Sequence, residues 1–279
     1  ISNRFRDLEL LFKIVDIFLN SIPKNNKTTI GFFGDSMQGI YDDGIGDVEK
    51  EINENKLIKI EKDWIPKLED HSLYIRPFMI ATDPFIGVRP SALYKFMIIL
   101  GPAGPYNSEP MKILIEQKYT RATPGGVGFA KNGGNYGASL YPVALAQQKG
   151  YDQVLWTDAL EHKFVEEVGM MNVMFVIDGK VITPSVERGT VLKGVTRNSV
   201  IILLRDMGYE VEERNLAVTE IVEAHKKGLF QEVFGVGTAA VVSYISRLSH
   251  GDYHMDFDVE YEVSALSDDY LEIYNKTQK

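Results

Sequence analysis

The chain has 279 residues, a formal net charge of −9 and no cysteine, which excludes disulfides, thiolate metal sites and cysteine nucleophiles. It has no long basic run with which to neutralise nucleic-acid phosphates, and no uninterrupted apolar stretch long enough to span a bilayer. With no signal-peptide pattern at its start, a soluble, cytoplasmic globular protein of one large or two modest domains is expected.

Leu8 to Leu19 carry apolar residues at helical spacing, up to Pro23. A strand over Thr28 to Phe33 follows, then Gly34-Asp35-Ser36-Met37-Gln38-Gly39-Ile40-Tyr41. From Val48 to Lys62 charges and apolar residues alternate at roughly helical spacing. Beyond Trp64 the character changes to strands: Ser72 to Thr82, Tyr94 to Leu100, and a shorter one over Lys112 to Glu116. Between Lys118 and Leu140, Gly125, Gly126, Gly128, Gly133 and Gly134 crowd around Lys131, with Tyr136 five residues on. Helical periodicity begins at Asn135 and ends near Gly150.

Strands over Gln153 to Thr157, Asn172 to Ile177 and Lys180 to Thr183 come next, the last two joined by Asp178-Gly179, a type I′ hairpin signal. Gly194-Val195-Thr196 opens a helix that ends by Gly208. A strand over Tyr209 to Asn215, a helix over Val218 to Lys227 and a strand pair over Glu232 to Ser246 complete the pattern. Strands and helices mixed without regular βαβ alternation predict an α+β (mixed α/β) fold.

Lys131 lies on a cramped, non-helical segment, a poor place for a solvated surface lysine, although a glycine-rich surface loop with an incidental lysine has the same pattern. Glu167 adjoins a strand. Gly194-Val195-Thr196 at a helix N-terminus and the turn Gly235-Val236-Gly237-Thr238 both suit an anion. Taken singly, these are a strand-face charge, a helix cap and a hairpin. Together they suit pyridoxal phosphate, which needs an amine for a Schiff base, an acid for the ring nitrogen, donors for the phosphate and a hydroxyl for O3′. Lys131, Glu167, Val195 with Thr196 and Thr238, and Tyr136 fill those roles in turn. His250 and His254 are four residues apart, but Gly251 disfavours a helix and there is no third ligand, so no metal site is expected.

From about Trp64 onward the chain closely resembles the branched-chain amino acid aminotransferases, of fold type IV. The resemblance rests on Ser72-Leu73-Tyr74-Ile75-Arg76-Pro77, Gly104-Pro105-Tyr106, Arg121 through Tyr136, Glu167-Val168-Gly169 with Met171-Asn172, Gly194-Val195-Thr196-Arg197, and Glu232 through Ala239. It implies that Lys131 carries the cofactor and moves the substrate proton, that Glu167 keeps the ring nitrogen protonated, and that Tyr136 bonds O3′. It also implies phosphate contacts from Val195, Thr196 and Thr238, and places Arg121 near the cofactor. Tyr74, Arg76 and Tyr106 resemble substrate-side residues, and Ala239 and Ala240 resemble those whose N–H groups meet the α-carboxylate.

The implied assembly is a homodimer with a β-barrel-like cofactor domain over 118–279 and an incomplete small domain over 61–117. D-amino acid aminotransferases and aminodeoxychorismate lyases share the fold and are the nearest alternatives, as is an inactive truncated or fused product. Residues 1 to about 57 resemble instead a superfamily-one helicase fragment around its third motif, Gly34 to Tyr41. No Gly-x-x-x-x-Gly-Lys-[Ser/Thr] loop accompanies that motif, so helicase activity is not expected. Met170 stands where the family has a smaller residue, and the redox cysteine pair of some members is missing.

Overall fold

The computed structural model describes residues 28–30, 40–42, 60–67, 71–103, 109–237 and 241–257. These fall into two units, one up to residue 103 and one from residue 109 onward. In the first, β1 (Thr28–Ile30) pairs antiparallel with β2 (Ile40–Asp42), and a single 3-10 turn spans Lys62–Trp64. The helix expected over Leu8 to Leu19, and the other residues of 1–57 apart from these two strands, lie outside the described residues. Strands β3 (Ser72–Ala81) and β4 (Tyr94–Ala103) form a long antiparallel ladder that places Tyr74 opposite Gly101 and Arg76 opposite Ile99.

The second unit is built on one mixed sheet. Its strands are β5 (Met111–Ile115), β6 (Gln153–Thr157), β7 (Val165–Val168), β8 (Asn172–Ile177), β9 (Lys180–Thr183), β10 (Val211–Glu213), β11 (Phe230–Gly237), β12 (Val241–His250) and β13 (Tyr253–Asp256). The order is β10-β9-β8-β11-β12-β5-β6-β7, with β13 beside β12. β5 is hydrogen-bonded to both β6 and β12, so it belongs to this unit by its pairing, although the sequence reading groups 61–117 together.

Strand β8 reads as a continuous apolar run because both its faces are covered. Val173, Phe175 and Ile177 point into a core shared with Leu216, Ile221 and Ala224 around helix α3 (Val218–Lys226). The alternate residues Met174 and Val176 pack instead with Val200, Ile201 and Leu204 of helix α2 (Val195–Asp206). The same period of two divides β6: Leu155 enters the first core, while Val154 and Trp156 pack with Ala146 of helix α1 (Gly133–Gln147). Asp178 and Gly179 both adopt positive φ, +53° and +72°, making the expected hairpin turn between β8 and β9.

Strand β7 ends the sheet, yet it turns straight into β8 in the sheet's other half. Val168 and Met171 exchange both backbone hydrogen bonds, N–H to O at 3.0 and 2.9 Å, across Gly169-Met170. That link brings β7 back to β8, so the sheet curls into a half-barrel consistent with the α+β expectation. Glu167 lies on one side of the seam and Asn172 on the other.

Candidate active site

The segment that presents Lys131 is held by two asparagines rather than by its glycines alone. The Asn135 side chain donates to Val127 O and Ala130 O, both at 2.9 Å. The Asn132 side chain donates to Val127 O at 3.3 Å, and its oxygen caps α1 by accepting from the N–H groups of Gly134 and Asn135. The helix therefore starts two residues earlier than its periodicity indicates. Lys131, next to the cap, has its Nζ 5.3 Å from the centroid of the Tyr136 ring.

Across from it, Glu167 lies within β7, not merely next to a strand, and its side chain is 5% exposed. Three donors fix its carboxylate: Arg121 Nε at 2.8 Å and Arg121 Nη2 at 2.7 Å, one on each oxygen, and Leu192 N–H at 2.6 Å on Oε1. Arg121 in turn donates from Nη2 to Gly128 O at 3.2 Å, which ties the glycine-rich segment to the acid. A carboxylate has about four acceptor positions, so these three bonds leave capacity for one further donor.

Glu166, next along β7, is also buried, and among the described residues neither of its oxygens has a hydrogen bond of good geometry. Burial pushes its carboxyl above the usual glutamate range, an effect only partly offset by the nearby Thr190 hydroxyl and by Arg121 and Arg188.

Arg121, Lys131, Tyr136, Glu167, Met170 and Leu192 line one open cleft. The structure therefore brings four of the sequence-derived residues together: the amine, the phenol, the acid and its arginine. Val195 and Thr196 are the first two residues of α2, three and four positions beyond Leu192, and Gly194 caps that helix with no side-chain bond. Tyr74 and Arg76 lie in the other unit, where Arg76 Nη2 donates to the Tyr74 hydroxyl at 3.3 Å with its guanidinium 5.0 Å from the ring centroid. Tyr106, Thr238, Ala239 and Ala240 lie outside the described residues.

Sequence reasoning missed Asn135, Leu192 and Glu166. The flanking pattern Asn-Gly-Gly-Asn at 132–135 was the available signal for the first. Leu192 acts through its backbone, which leaves no mark in the side-chain pattern. As to fit, the cleft offers an amine, an acid with one acceptor position to spare and a phenol, which suit the aldehyde, ring nitrogen and O3′ of a pyridoxal group.

Residues 47–248 match the family model described as amino-transferase class IV. Branched-chain-amino-acid aminotransferase 2 of Bacillus subtilis (strain 168) is 51% identical over 196 residues, covering 69% of this chain and 54% of its own length. The chain thus spans about half the length of the curated relatives it matches. Among solved structures, a branched-chain aminotransferase from Thermoproteus uzoniensis, crystallised with norvaline, is 26% identical with a TM-score of 0.62, covering 74% of this chain and 66% of its own. The T.th. branched-chain amino acid aminotransferase, complexed with N-(5′-phosphopyridoxyl)-L-glutamate, is 27% identical with a TM-score of 0.58, covering 74% and 65%.

Proposed function

Because this chain belongs to the class IV aminotransferases, we propose that it moves an amino group between leucine, isoleucine or valine and 2-oxoglutarate, using pyridoxal phosphate bound at Lys131. The observation that carries this reading is that Lys131, Tyr136 and Glu167 line one cleft, with Arg121 locking the acid in place. The glutamate adduct bound in the T.th. relative supports both the cofactor and the acceptor class.

The cofactor, when bound, supplies an aldehyde that condenses with amines and a ring that withdraws electrons from the substrate carbon. Lys131 holds the cofactor and then acts as the base and acid at the substrate Cα. Glu167, an acceptor fixed by three donors, favours a protonated ring nitrogen. Tyr136 offers its hydroxyl to the ring oxygen, and the first turn of α2 at Val195 and Thr196, with Thr238, offers donors to the phosphate. Ala239 and Ala240 supply N–H groups to the substrate carboxylate, and Tyr74, Arg76 and Tyr106 form the substrate side; these assignments rest on the sequence resemblance.

A homodimer fits the exposure of Val127, Phe129, Leu140 and Tyr141 beside the lysine-bearing segment. The class IV match begins at residue 47, inside the stretch expected to be helicase-like, and the sequence has no phosphate loop, so no nucleotide chemistry enters this reading.

The test is a titration of the purified chain with pyridoxal phosphate, followed by a leucine and 2-oxoglutarate assay. A visible absorbance band that vanishes in Lys131→Ala, together with glutamate formation from leucine, is expected. No band at saturating cofactor overturns the reading. Activity confined to D-amino acids, or pyruvate release from aminodeoxychorismate, would move the chain to a neighbouring activity of the same fold.

A further inference from the structure

The third donor on Glu167, the Leu192 N–H, lies on a stretch of chain with little secondary structure of its own. Residues 190–194 run between β9 and α2, with Thr190 and Val191 almost fully buried. Something must hold that backbone at the seam. Asn172, the first residue of β8, is 6% exposed, and its side-chain amide donates to Leu192 O at 2.9 Å. One residue, Leu192, thus accepts from Asn172 through its carbonyl and donates to Glu167 through its N–H. The Asn172 oxygen lies so close to Gly194 that a Cβ at position 194 would overlap it, so the α2 cap and the asparagine are fitted to each other.

We propose that Asn172 is a positioning residue: across the β7–β8 seam it fixes the 192–194 backbone, and through Leu192 it sets the orientation of the Glu167 carboxylate that faces the cofactor ring. The inference rests on the reading that Glu167 partners a bound pyridoxal ring. Asn172 is not among the residues lining the cleft, so its effect is transmitted through backbone. The physical reasoning is that Arg121 fixes both oxygens from one side, while the Leu192 N–H adds the constraint from a second direction. Without the amide, Leu192 O loses its buried donor and the 190–194 stretch relaxes.

The experiment uses the full chain and three variants, Asn172→Ala, Gly194→Ala and the double substitution. Each is measured for pyridoxal phosphate Kd by absorbance titration, for the pH midpoint of the bound cofactor's spectral change, and for the melting temperature without cofactor. Asn172→Ala is expected to raise Kd about tenfold and to shift the spectral midpoint. Gly194→Ala alone is expected to lower the melting temperature because of the overlap. In the double variant the overlap is gone, so its melting temperature should fall no further than that of Asn172→Ala.

If Asn172→Ala does not fold, Asn172→Asp takes its place in the titrations, keeping the shape while turning an acceptor toward Leu192 O; the same shift is expected. An unchanged Kd and spectral midpoint in a folded Asn172 variant, or strictly additive melting losses, overturn the inference while leaving the cofactor reading intact. A parent chain with no Lys131-dependent band overturns the reading itself, and this inference with it.

Discussion

Arg121 and Glu167 meet as a two-point ion pair, Nε to one carboxylate oxygen at 2.8 Å and Nη2 to the other at 2.7 Å, with side chains only 8% and 5% exposed. The fork geometry makes arginine irreplaceable here, because a lysine ammonium cannot meet both oxygens in one plane while also reaching Gly128 O. Removing the guanidinium in Arg121→Ala leaves a buried carboxylate short of two donors, a change that costs about 3–5 kcal/mol in buried pairs. Urea unfolding at neutral pH should show a loss of that size, and Arg121→Lys should recover less than half of it. Full recovery by lysine would show that only the charge matters.

Gly128 lies under the same arginine, where its carbonyl is the second acceptor. A Cβ there would sit 2.5 Å from Ala122 Cβ, 2.7 Å from Thr190 O and 2.9 Å from Thr190 Cα. Two of those atoms are backbone, so no side chain can swing aside to relieve the overlap. Gly128→Ala should therefore destabilise by about 2–3 kcal/mol, the upper range for overpacking, and should weaken cofactor binding by displacing both Arg121 and the 190–194 stretch. Gly125→Ala is the control, with nothing within 4 Å of its Cβ and only the strain of φ +78° to bear. Equal effects from the two would remove the steric account.

Glu166 gives a pH dependence of unusual sign for a carboxyl group. Burial raises its folded-state pKa above the ordinary value of 4.5, so it contributes stability that is fully present below that value and is lost as pH rises through the folded one. Of the groups facing it, Thr190, Arg121 and Arg188 oppose the burial effect without cancelling it, and the Glu167 charge adds to it. Glu166→Gln keeps the shape without the ionisation. The variant should melt close to the parent near pH 4.5 and progressively above it toward pH 8. A gap that narrows with rising pH would sink this account.

The parts of the candidate site legible in the sequence are those that a marked residue type or a helix start picks out. Lys131 stood out because glycine-rich backbone is an odd place for a solvated lysine, and Gly194-Val195-Thr196 because helix starts are marked by their residues. Asp178-Gly179 specified its hairpin by conformation alone. Strand β7 went unread because four residues with two adjacent glutamates carry no alternation, and only the closing of the sheet at Val168 and Met171 makes them a strand. Strand β10 was read too long, since it has just one neighbour, β9, and three paired residues. Leu192, and the role of Asn172 beyond its place in a matching segment, were invisible for a different reason: their bonds link backbone and side-chain atoms 20 and 25 residues apart, a separation no local pattern records.

Asp158 governs how the chain enters β7, and its carboxylate does so with four backbone donors. Oδ1 accepts from Lys163 N at 2.8 Å and Phe164 N at 2.7 Å, and Oδ2 accepts from Glu161 N at 3.1 Å and Leu160 N at 3.3 Å. Burial by itself raises this carboxyl, but the donors from Phe164, Glu161, Lys163 and Leu160 outweigh it, and the folded pKa lies below the ordinary 3.8. A depressed acid contributes stability that is present above its unfolded value and is lost as pH falls through the folded one, so the window lies on the acid side of about pH 4. Asp158→Asn keeps the size of the side chain but turns an NH₂ toward two of the four N–H groups and discards the charge. At pH 7 it should cost about 2 kcal/mol in urea unfolding, with some loss of cofactor affinity because Glu167 follows three residues after the last donor. As pH falls below about 4 the gap between parent and variant should narrow. A difference that does not narrow at any acid pH at which the parent stays folded would mean that the loop depends on the shape of the side chain and not on its charge.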